Sequence, residues 1–347
     1  MPKHRLAIVG CGSMEGAHEA SFAKVAQRLE VTATVDPVIE RAQHAAETLH
    51  APRAVADHRE IVDDVDAALL VLPHHLHHSV GLDFLNAGKH VLMEKPLANT
   101  EAECLELIDA AARNNVMLMV AYPMRFHPLV LAMKNEIDAG RIGDVFQMSI
   151  WTEQLTRPNG RDWFQSPRLG GGQLFSHGCH YIDLLLWFLG DPVVGSHLGT
   201  TMGTDWMDGE GTSNVSIEFA SGALGYHFGT WGARGTKHGY EFHAHGADGM
   251  LDLDLGSSTL KLYRGKTVET LYEHRGTTKH VEGELTHFAD CLDTGAAPLT
   301  DGPSSLQGLR VIWRLYEAER QSALADLRGL GLTELGQDPV TAERSRN

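Results

Sequence analysis

The first 122 residues alternate short apolar runs with helical segments, and no other feature of the chain restricts its fold as strongly. Alanine-rich or amphipathic stretches separate the runs, and Thr100 with Glu103 forms a capping box that begins one of the helices. Because strands that alternate with helices form doubly wound parallel sheets, we predict an α/β domain here. The predicted strands are Leu6–Val9, Val31–Val35, Ala67–Leu72, His90–Met93 and Val116–Ala121.

A different pattern follows Tyr122 and Pro123. Longer β-type stretches succeed one another, and Ser221-Gly222 suits a hairpin turn between two of them. We therefore predict a second, α+β domain on a mostly antiparallel open sheet. The predicted domains are 1–122 and 123–335, with a polar tail at 336–347.

The composition restricts the class of partner. The 347 residues carry a net charge of −16, which repels nucleic-acid phosphates and anionic lipid heads, so we expect neither nucleic-acid nor membrane binding. The longest strongly apolar stretch, residues 184–189, is too short to span a bilayer. Four widely spaced cysteines favour a reducing compartment over a disulfide framework. We expect a cytoplasmic enzyme that acts on a small molecule.

A glycine-rich turn follows the first predicted strand, in the position of a dinucleotide-binding loop. Gly10 and Gly12 flank Cys11, and Ser13 and Met14 continue into the first helix. Glycine lets the backbone approach a pyrophosphate, and the helix N-terminus supplies N–H donors with partial positive charge. The turn therefore predicts a nucleotide cofactor.

Asp36 ends the second predicted strand and indicates which nucleotide is bound. A carboxylate there accepts hydrogen bonds from both ribose hydroxyls and repels a 2′-phosphate, so NAD is predicted and NADP is disfavoured. One residue departs from the usual fingerprint, since Glu15 stands where a third glycine is common and Gly16 follows it. The same glycines also suit an ordinary turn, so the loop alone leaves both interpretations open.

Residues 87–96, Ala-Gly-Lys-His-Val-Leu-Met-Glu-Lys-Pro, form the most specific motif of the chain. They resemble the Gly-Lys-His-Val…Glu-Lys-Pro signature of the glucose–fructose oxidoreductase / inositol dehydrogenase / rhizopine catabolism (MocA) family. Further segments extend the resemblance over nearly the whole chain, namely 73–77, 125–128, 170–183 and 288–309.

The resemblance implies a Rossmann domain followed by an α+β domain, with substrate bound between them beside the nicotinamide. Family members mostly oxidise or reduce a carbinol or carbonyl group on sugars, cyclitols and their relatives. Many pair through the open sheet face, so we expect a homodimer or homotetramer.

The resemblance also assigns roles by position. Lys95 would hydrogen-bond the reacting oxygen, and His180 would be the general acid/base. For Asp183, three residues further and within reach on the same helical face, two roles stay open: it would orient that imidazole, or it would cap the helix or pair elsewhere. Four more residues fall on the cofactor side: Pro73, His74, His77 and Glu94. The candidate substrate-pocket residues are Arg125, Asp162, Trp163, Ser176 and His177.

Ser176 is a second departure, because many catalytic relatives carry an aspartate four residues before the histidine. The serine removes a substrate contact, for which His177, Asp162 or the substrate itself are candidates to compensate. The dense histidines at 74–78 suggest a metal site. Since His74 and His77 match the cofactor-side loop of the family, no metal is predicted.

Three functions stay open at this level. The leading one is an NAD(P)-dependent dehydrogenase that acts on CH–OH groups of a sugar, cyclitol or related polyol. The second is a glycosidase or lyase that retains NAD and uses transient oxidation. The third is a non-catalytic regulator that senses a sugar or NAD.

Overall fold

The computed structural model describes residues 3–12, 21–157, 162–276 and 280–335. The chain divides into two compact units, the first comprising Met1–Pro123 with Val281–Leu306 and the second Met124–His280 with Gln307–Asn347. The predicted tail, 336–347, lies outside the described residues. No helix in the described ranges is both long and apolar enough to cross a bilayer.

The first unit is built on six parallel strands in the order β3-β2-β1-β4-β5-β6. This is the doubly wound topology expected for a Rossmann domain. The strands are β1 (His4–Val9), β2 (Leu29–Val35), β3 (Arg53–Val55), β4 (Ala67–Leu70), β5 (His90–Glu94) and β6 (Leu118–Ala121). The helices before the unit boundary are residues 21–25 of a first helix, α1 (Ile39–Leu49), α2 (His77–Asn86) and α3 (Glu101–Arg113).

Local sequence signals explain most of these elements. All four residues of β4 are buried, as expected of a central parallel strand covered on both faces. The predicted capping box is confirmed, since Thr100 Oγ1 accepts from the Glu103 N–H at 3.2 Å and Glu103 Oε2 from the Thr100 N–H at 3.0 Å. The sequence prediction missed β3, which has only three residues, none of them fully buried.

The second unit is built on nine strands in the order β14-β13-β12-β11-β7-β10-β9-β8-β15. Neighbouring strands run antiparallel except β7 and β10, which are parallel, so the predicted mostly antiparallel sheet is confirmed. The strands are β7 (Val145–Glu153), β8 (Pro192–Thr200), β9 (Thr212–Phe219), β10 (Leu224–Thr230), β11 (Tyr240–Gly246), β12 (Gly249–Asp254), β13 (Thr259–Arg264), β14 (Thr267–Glu273) and β15 (Ala325–Asp326).

Side chains along this sheet alternate between a buried face and an open face. In β9, Val215, Ile217 and Phe219 are buried, whereas the residues between them are exposed. Such alternation is typical of an antiparallel sheet with one covered face. The helices of this unit that precede its last segment are α4 (Pro128–Asp138), α5 (Asp162–Gln165) and α6 (Cys179–Leu189).

The chain returns to the first unit through α7 (Val281–Thr294), and α8 (Gly302–Arg320) follows. The first compact unit therefore includes residues 281–306, which the sequence analysis placed in the second predicted domain. The physical reason is a set of long-range contacts. The Arg28 guanidinium donates to Asp290 and Asp293 at 2.7 and 2.8 Å. The Val120 N–H donates to the Thr300 carbonyl oxygen, and the Thr300 hydroxyl donates to the Val120 carbonyl oxygen, both at 2.7 Å.

Candidate functional site

Gly10 forms the turn that leaves β1, and its backbone permits no other residue. Its φ is +97°, and a Cβ there would lie 2.2 Å from the carbonyl oxygen of Val71. Its N–H donates to the Val35 carbonyl at 2.8 Å, which fixes the turn against the end of β2. Gly10 is therefore required by the fold of this loop itself.

Gly12 differs from Gly10, because a Cβ on Gly12 would meet none of the described atoms within 4 Å. Packing among the described residues therefore does not require a glycine here, whereas close approach of a ligand to the backbone would. Ser13 and Met14, predicted to bind the cofactor, lie outside the described residues, as do Glu15 and Gly16.

Asp36 lies directly after β2 and holds the glycine turn in place. Its Oδ2 accepts from the Cys11 N–H at 3.0 Å, and its Oδ1 accepts from the Val38 N–H at 2.9 Å. Each carboxylate oxygen has a second acceptor position, so the carboxylate can also accept from a ribose hydroxyl. The structure therefore places the two sequence signals for NAD, the glycine turn and Asp36, in direct contact.

The loop after β4 is joined to the segment after β5 by His77. This ring is fully buried, with Nδ1 2.8 Å from the Pro96 carbonyl oxygen and Nε2 3.0 Å from the Leu72 carbonyl oxygen. Burial lowers the pKa of His77, and a neutral imidazole donates to only one of these carbonyls. Both ring nitrogens thus face main chain, so the His77 side chain connects the loop after β4 to the segment after β5.

The other predicted cofactor-side residues lie near His77. Pro73 lies in the loop after β4, and the buried ring of His74 lies edge-on to His77 with centroids 5.5 Å apart. Glu94 is buried at the last position of β5, and Lys95 follows it, half-buried. Because all strands of this sheet are parallel, Lys95 lies at the carboxyl edge, where ligands of such sheets bind.

In the second unit, the segment between the glycine triplet at 170–172 and Leu189 is not one continuous α-helix. Leu174–Gly178 forms a π-helix, and α6 begins only at Cys179. Short π-helical segments are rare and occur frequently at functional sites. Ser176 and His177 lie within the π-helix and His180 in the first turn of α6, and all three are buried.

Close packing against β10 supports this π-helix. A Cβ on Gly229 would lie 2.0 Å from Gln173 Nε2, so any larger residue at 229 would displace the residue that precedes the π-helix. On the same face of β10, His227 stacks on Tyr181 with ring centroids 5.1 Å apart. Burial lowers the pKa of His227 to about 3, so this ring is neutral at neutral pH.

Of the two roles left open for Asp183, the structure shows pairing elsewhere, with Arg125, and not orientation of the His180 imidazole. Its two carboxylate oxygens accept from Nε and Nη2 of Arg125, both at 2.7 Å, and both side chains are only 2% exposed. The Arg125 guanidinium also lies over the Trp187 ring, 5.2 Å from its centroid. Arg125, predicted to bind substrate, is therefore the partner of Asp183 and attaches α6 to the start of α4.

The structure adds two residues that the sequence analysis missed. The Tyr240 hydroxyl donates to Gln154 Oε1 at 2.9 Å and lies 3.4 Å from Nε2 of His177. Burial raises the pKa of Tyr240 to about 12. Gln154 follows β7 and Tyr240 begins β11, so only the pairing of these two strands brings them together. No local sequence signal marks either residue.

The remaining predicted pocket residues lie on α5. The Trp163 ring lies edge-on to the Phe164 ring with centroids 5.5 Å apart, and the Phe164 ring stacks on the Trp231 ring with centroids 4.3 Å apart. The Asp162 side chain lies outside the described residues. Within the described part of the chain, no group of three or more His, Cys, Asp or Glu side chains is arranged to hold a metal ion.

Comparison with known proteins identifies the family of this chain. Residues 4–122 match the oxidoreductase family model for the NAD-binding Rossmann fold, and residues 130–252 match the GFO/IDH/MocA C-terminal domain. The chain belongs to the GFO/IDH/MocA family and is an NAD(P)-dependent dehydrogenase of the class that acts on CH–OH groups.

Two curated relatives share most of their length with this chain. Levoglucosan dehydrogenase of Pseudarthrobacter phenanthrenivorans is 29% identical, over 72% of this chain and 73% of the relative. The scyllo-inositol 2-dehydrogenase (NAD(+)) of Bacillus subtilis is 25% identical, over 85% of this chain and 88% of the relative. Among solved structures, levoglucosan dehydrogenase in complex with NADH and L-sorbose matches with a TM-score of 0.86, at 22% identity, over 94% of this chain and 99% of that one. This last likeness shows the shared fold.

Proposed function

We propose that this chain oxidises a secondary alcohol of a sugar, cyclitol or related polyol, or reduces the corresponding ketone, with NAD as the redox partner. The observation that carries the proposal is the carboxyl edge of the parallel sheet, where Gly10, Asp36 and Lys95 follow β1, β2 and β5. The similarity to levoglucosan and scyllo-inositol dehydrogenases supports a polyol as substrate.

The residues of this edge fit the cofactor. Gly12 leaves its backbone open to a pyrophosphate, and Ser13 and Met14 follow it in the same proposed loop. Asp36 would accept from the adenosine ribose and repel a 2′-phosphate, which favours NAD over NADP. When bound, NAD supplies the hydride acceptor for alcohol oxidation.

The protein must then accept the hydroxyl proton and stabilise the negative charge that develops on the oxygen. An imidazole titrates near neutrality, so His180 is proposed to accept the proton in oxidation and return it in reduction. The Lys95 ammonium would stabilise the negative charge that develops on the oxygen. Asp183 acts through Arg125, because this ion pair fixes the helix that carries His180.

Ser176 favours one alternative, a glycosidase or lyase that retains its cofactor. The buried serine stands where the family resemblance leads to an expected aspartate. A neutral group there suits a reaction in which oxidation is transient and the hydride returns to the substrate. Such an enzyme would turn over substrate without net accumulation of NADH.

The test is a calorimetric titration of the purified protein, freed of bound nucleotide, with NAD⁺ and then NADP⁺. A panel of sugars and cyclitols follows, in which NADH absorbance and substrate loss are both recorded. We expect tighter binding of NAD⁺ and NADH formation with at least one polyol. Asp36→Ala should weaken NAD⁺ binding and reduce the preference over NADP⁺. Failure of wild-type protein to bind either nucleotide would refute the proposal, and substrate loss without NADH would favour the alternative.

We also infer that two copies pair through the open face of the nine-stranded sheet. Leu198 and Leu224 on this face are 71% and 54% exposed. The Trp151 ring packs against the rings of Tyr226 and Phe228, with centroid distances of 5.4 and 5.6 Å. A shallow cavity of about 420 Å³ lies on the same face. Light scattering should give the mass of a dimer or tetramer, and Leu224→Asp should reduce it. A monomeric wild-type protein would refute this assembly.

A further inference from the structure

Two residues from distant parts of the sequence cap the start of the π-helix. The first N–H groups of any helix have no acceptor within that helix. Here the Gln173 N–H donates to the Glu210 carbonyl oxygen at 2.9 Å, and the Leu174 N–H donates to Glu210 Oε1 at 3.1 Å. The next N–H, that of Phe175, donates to the Tyr316 hydroxyl oxygen at 3.2 Å. Three successive main-chain groups are therefore held by Glu210 and Tyr316.

The two capping residues are also bonded to each other. The Tyr316 hydroxyl donates to Glu210 Oε1 at 2.6 Å, so this oxygen accepts two hydrogen bonds. Burial, together with the neighbouring Glu210 carboxylate, raises the pKa of Tyr316 well above its ordinary value. The phenol therefore keeps its proton at neutral pH and donates it to the carboxylate. A carboxylate at this end of a helix is stabilised further by the helix dipole.

The Glu210 side chain fits between two glycines. A Cβ on Gly172 would lie 3.0 Å from Glu210 Oε1, and a Cβ on Gly199 in β8 would lie 2.8 Å from Glu210 Cβ. The φ of Gly172 is +114°, which also disfavours any side chain there. A larger residue at either position would push against Glu210. The third glycine of the triplet at 170–172 thus allows the carboxylate to approach the start of the helix.

We propose that Glu210 and Tyr316 are positioning residues of the reaction, whose cap holds the π-helix and the first turn of α6 and thereby fixes the place of His180. The π-helix runs directly into α6, and His180 follows Leu174 by six residues, so a displacement at the cap is transmitted to His180. The inference rests on the proposed dehydrogenase function, in which the substrate gives its hydroxyl proton to His180 and its hydride to the nicotinamide. Misplacement of a reacting group by about 1 Å can cost about 100-fold in rate.

The first measurement is hydrogen exchange of the unliganded protein, read by mass spectrometry in a peptide that spans residues 173–181. Exchange there should be faster by about 2- to 10-fold in Glu210→Ala and in Tyr316→Phe, because each variant removes an acceptor of a main-chain N–H. Glu210→Gln keeps the oxygen that accepts from Leu174 and Tyr316, so its exchange should stay close to that of wild type. Unchanged exchange in both Glu210→Ala and Tyr316→Phe would overturn the inference. Since Tyr316→Phe deletes a single oxygen, the test survives the misfolding of Glu210→Ala.

The second measurement is steady-state oxidation of a polyol that the wild type accepts. Glu210→Ala and Tyr316→Phe should lower kcat by about 10- to 100-fold. Their NAD⁺ affinity by calorimetry should stay as in wild type, because Gly10 and Asp36 belong to the first unit. Glu210→Gln should recover most of the lost turnover. A normal kcat in both Glu210→Ala and Tyr316→Phe, or no recovery in Glu210→Gln, would overturn the inference.

The matched control is Glu319→Ala, one turn after Tyr316 on α8. The Glu319 carboxylate accepts from the Gly199 N–H at 2.7 Å and lies 2.8 Å from Nδ1 of His197, so these contacts hold β8. The variant should lower Tm but leave kcat and the exchange of residues 173–181 as in wild type. An equal loss of kcat in Glu319→Ala would overturn the inference, because general destabilisation would then explain the effect. Failure of the proposed function is distinct, because the wild type would then form no NADH while hydrogen exchange still decides whether the cap holds the helix.

Discussion

Replacing Asp183 by alanine tests whether the Arg125–Asp183 pair is a structural bond of the second unit. The substitution removes the carboxylate that accepts two charge-assisted hydrogen bonds of 2.7 Å from a guanidinium that is 2% exposed. Stacking on Trp187 compensates for only a small part of the loss, because the ring carries no net charge. The variant therefore keeps a buried cation without its carboxylate.

Loss of one partner from a buried ion pair costs about 3–5 kcal/mol. For a body of about 200 residues, each kcal/mol shifts Tm by about 2–4 °C. We therefore expect the transition of the second unit to fall by about 6–20 °C in Asp183→Ala. A double variant, Arg125→Met with Asp183→Leu, removes both charges and should recover most of that loss.

The assay is differential scanning calorimetry of the variants alongside a matched control. Arg328 forms the same two-bond contact with Asp326, both at 2.8 Å, but these side chains are 73% and 64% exposed. Arg328→Ala should therefore leave Tm close to that of wild type, because solvent screens exposed pairs. If Asp183→Ala lowers Tm no more than Arg328→Ala does, or if the double variant is as unstable as the single one, the reasoning is wrong.

Three further predictions concern turnover and pH. Lys95→Ala should reduce turnover by about 10²–10⁴ with NAD⁺ affinity retained by calorimetry, and near-normal kcat would remove Lys95 from the mechanism. In Ser176→Asp, the added negative charge favours the protonated form of His180, which cannot accept the substrate proton. The acidic limb of the pH profile of kcat/KM for oxidation should therefore move to higher pH, and an unchanged position of that limb would contradict this reasoning. Because the folded pKa of His227 is about 3 and the ordinary value is 6.5, only the unfolded chain binds this proton between about pH 6.5 and 3. Stability should therefore fall from about pH 6.5 toward 3, and less steeply in His227→Gln in parallel denaturation curves; equal slopes would contradict the assignment.

The parts of the fold that sequence predicted are those encoded by local periodicity. The alternation of apolar runs with helices predicted the parallel sheet, because its central strands contain continuous buried runs, as in β4, where all four residues are buried. Gly10 and Asp36 were recognisable because their role follows from position relative to the ends of two strands. Strands too short or too polar to form such a run, such as β3, gave no signal.

The parts that sequence did not predict depend on distant pairing. Arg125 and Asp183 are 58 positions apart, so helical spacing indicated only that Asp183 is within reach of His180. Tyr240 and Gln154 are 86 positions apart and meet only because β7 pairs with β11. The π-helix also escaped prediction, because its residues are compatible with an ordinary α-helix.

The return of residues 281–306 to the first unit has a consequence for synthesis on the ribosome. The nascent chain emerges with β1–β6 first, yet α7, which carries the partners of Arg28, begins roughly 160 residues after the end of β6. At about 5–20 residues per second, that interval is about 8–30 s. The first unit therefore remains incomplete while most of the second unit is synthesised. A gene fragment that stops at residue 123 should consequently yield an incomplete domain.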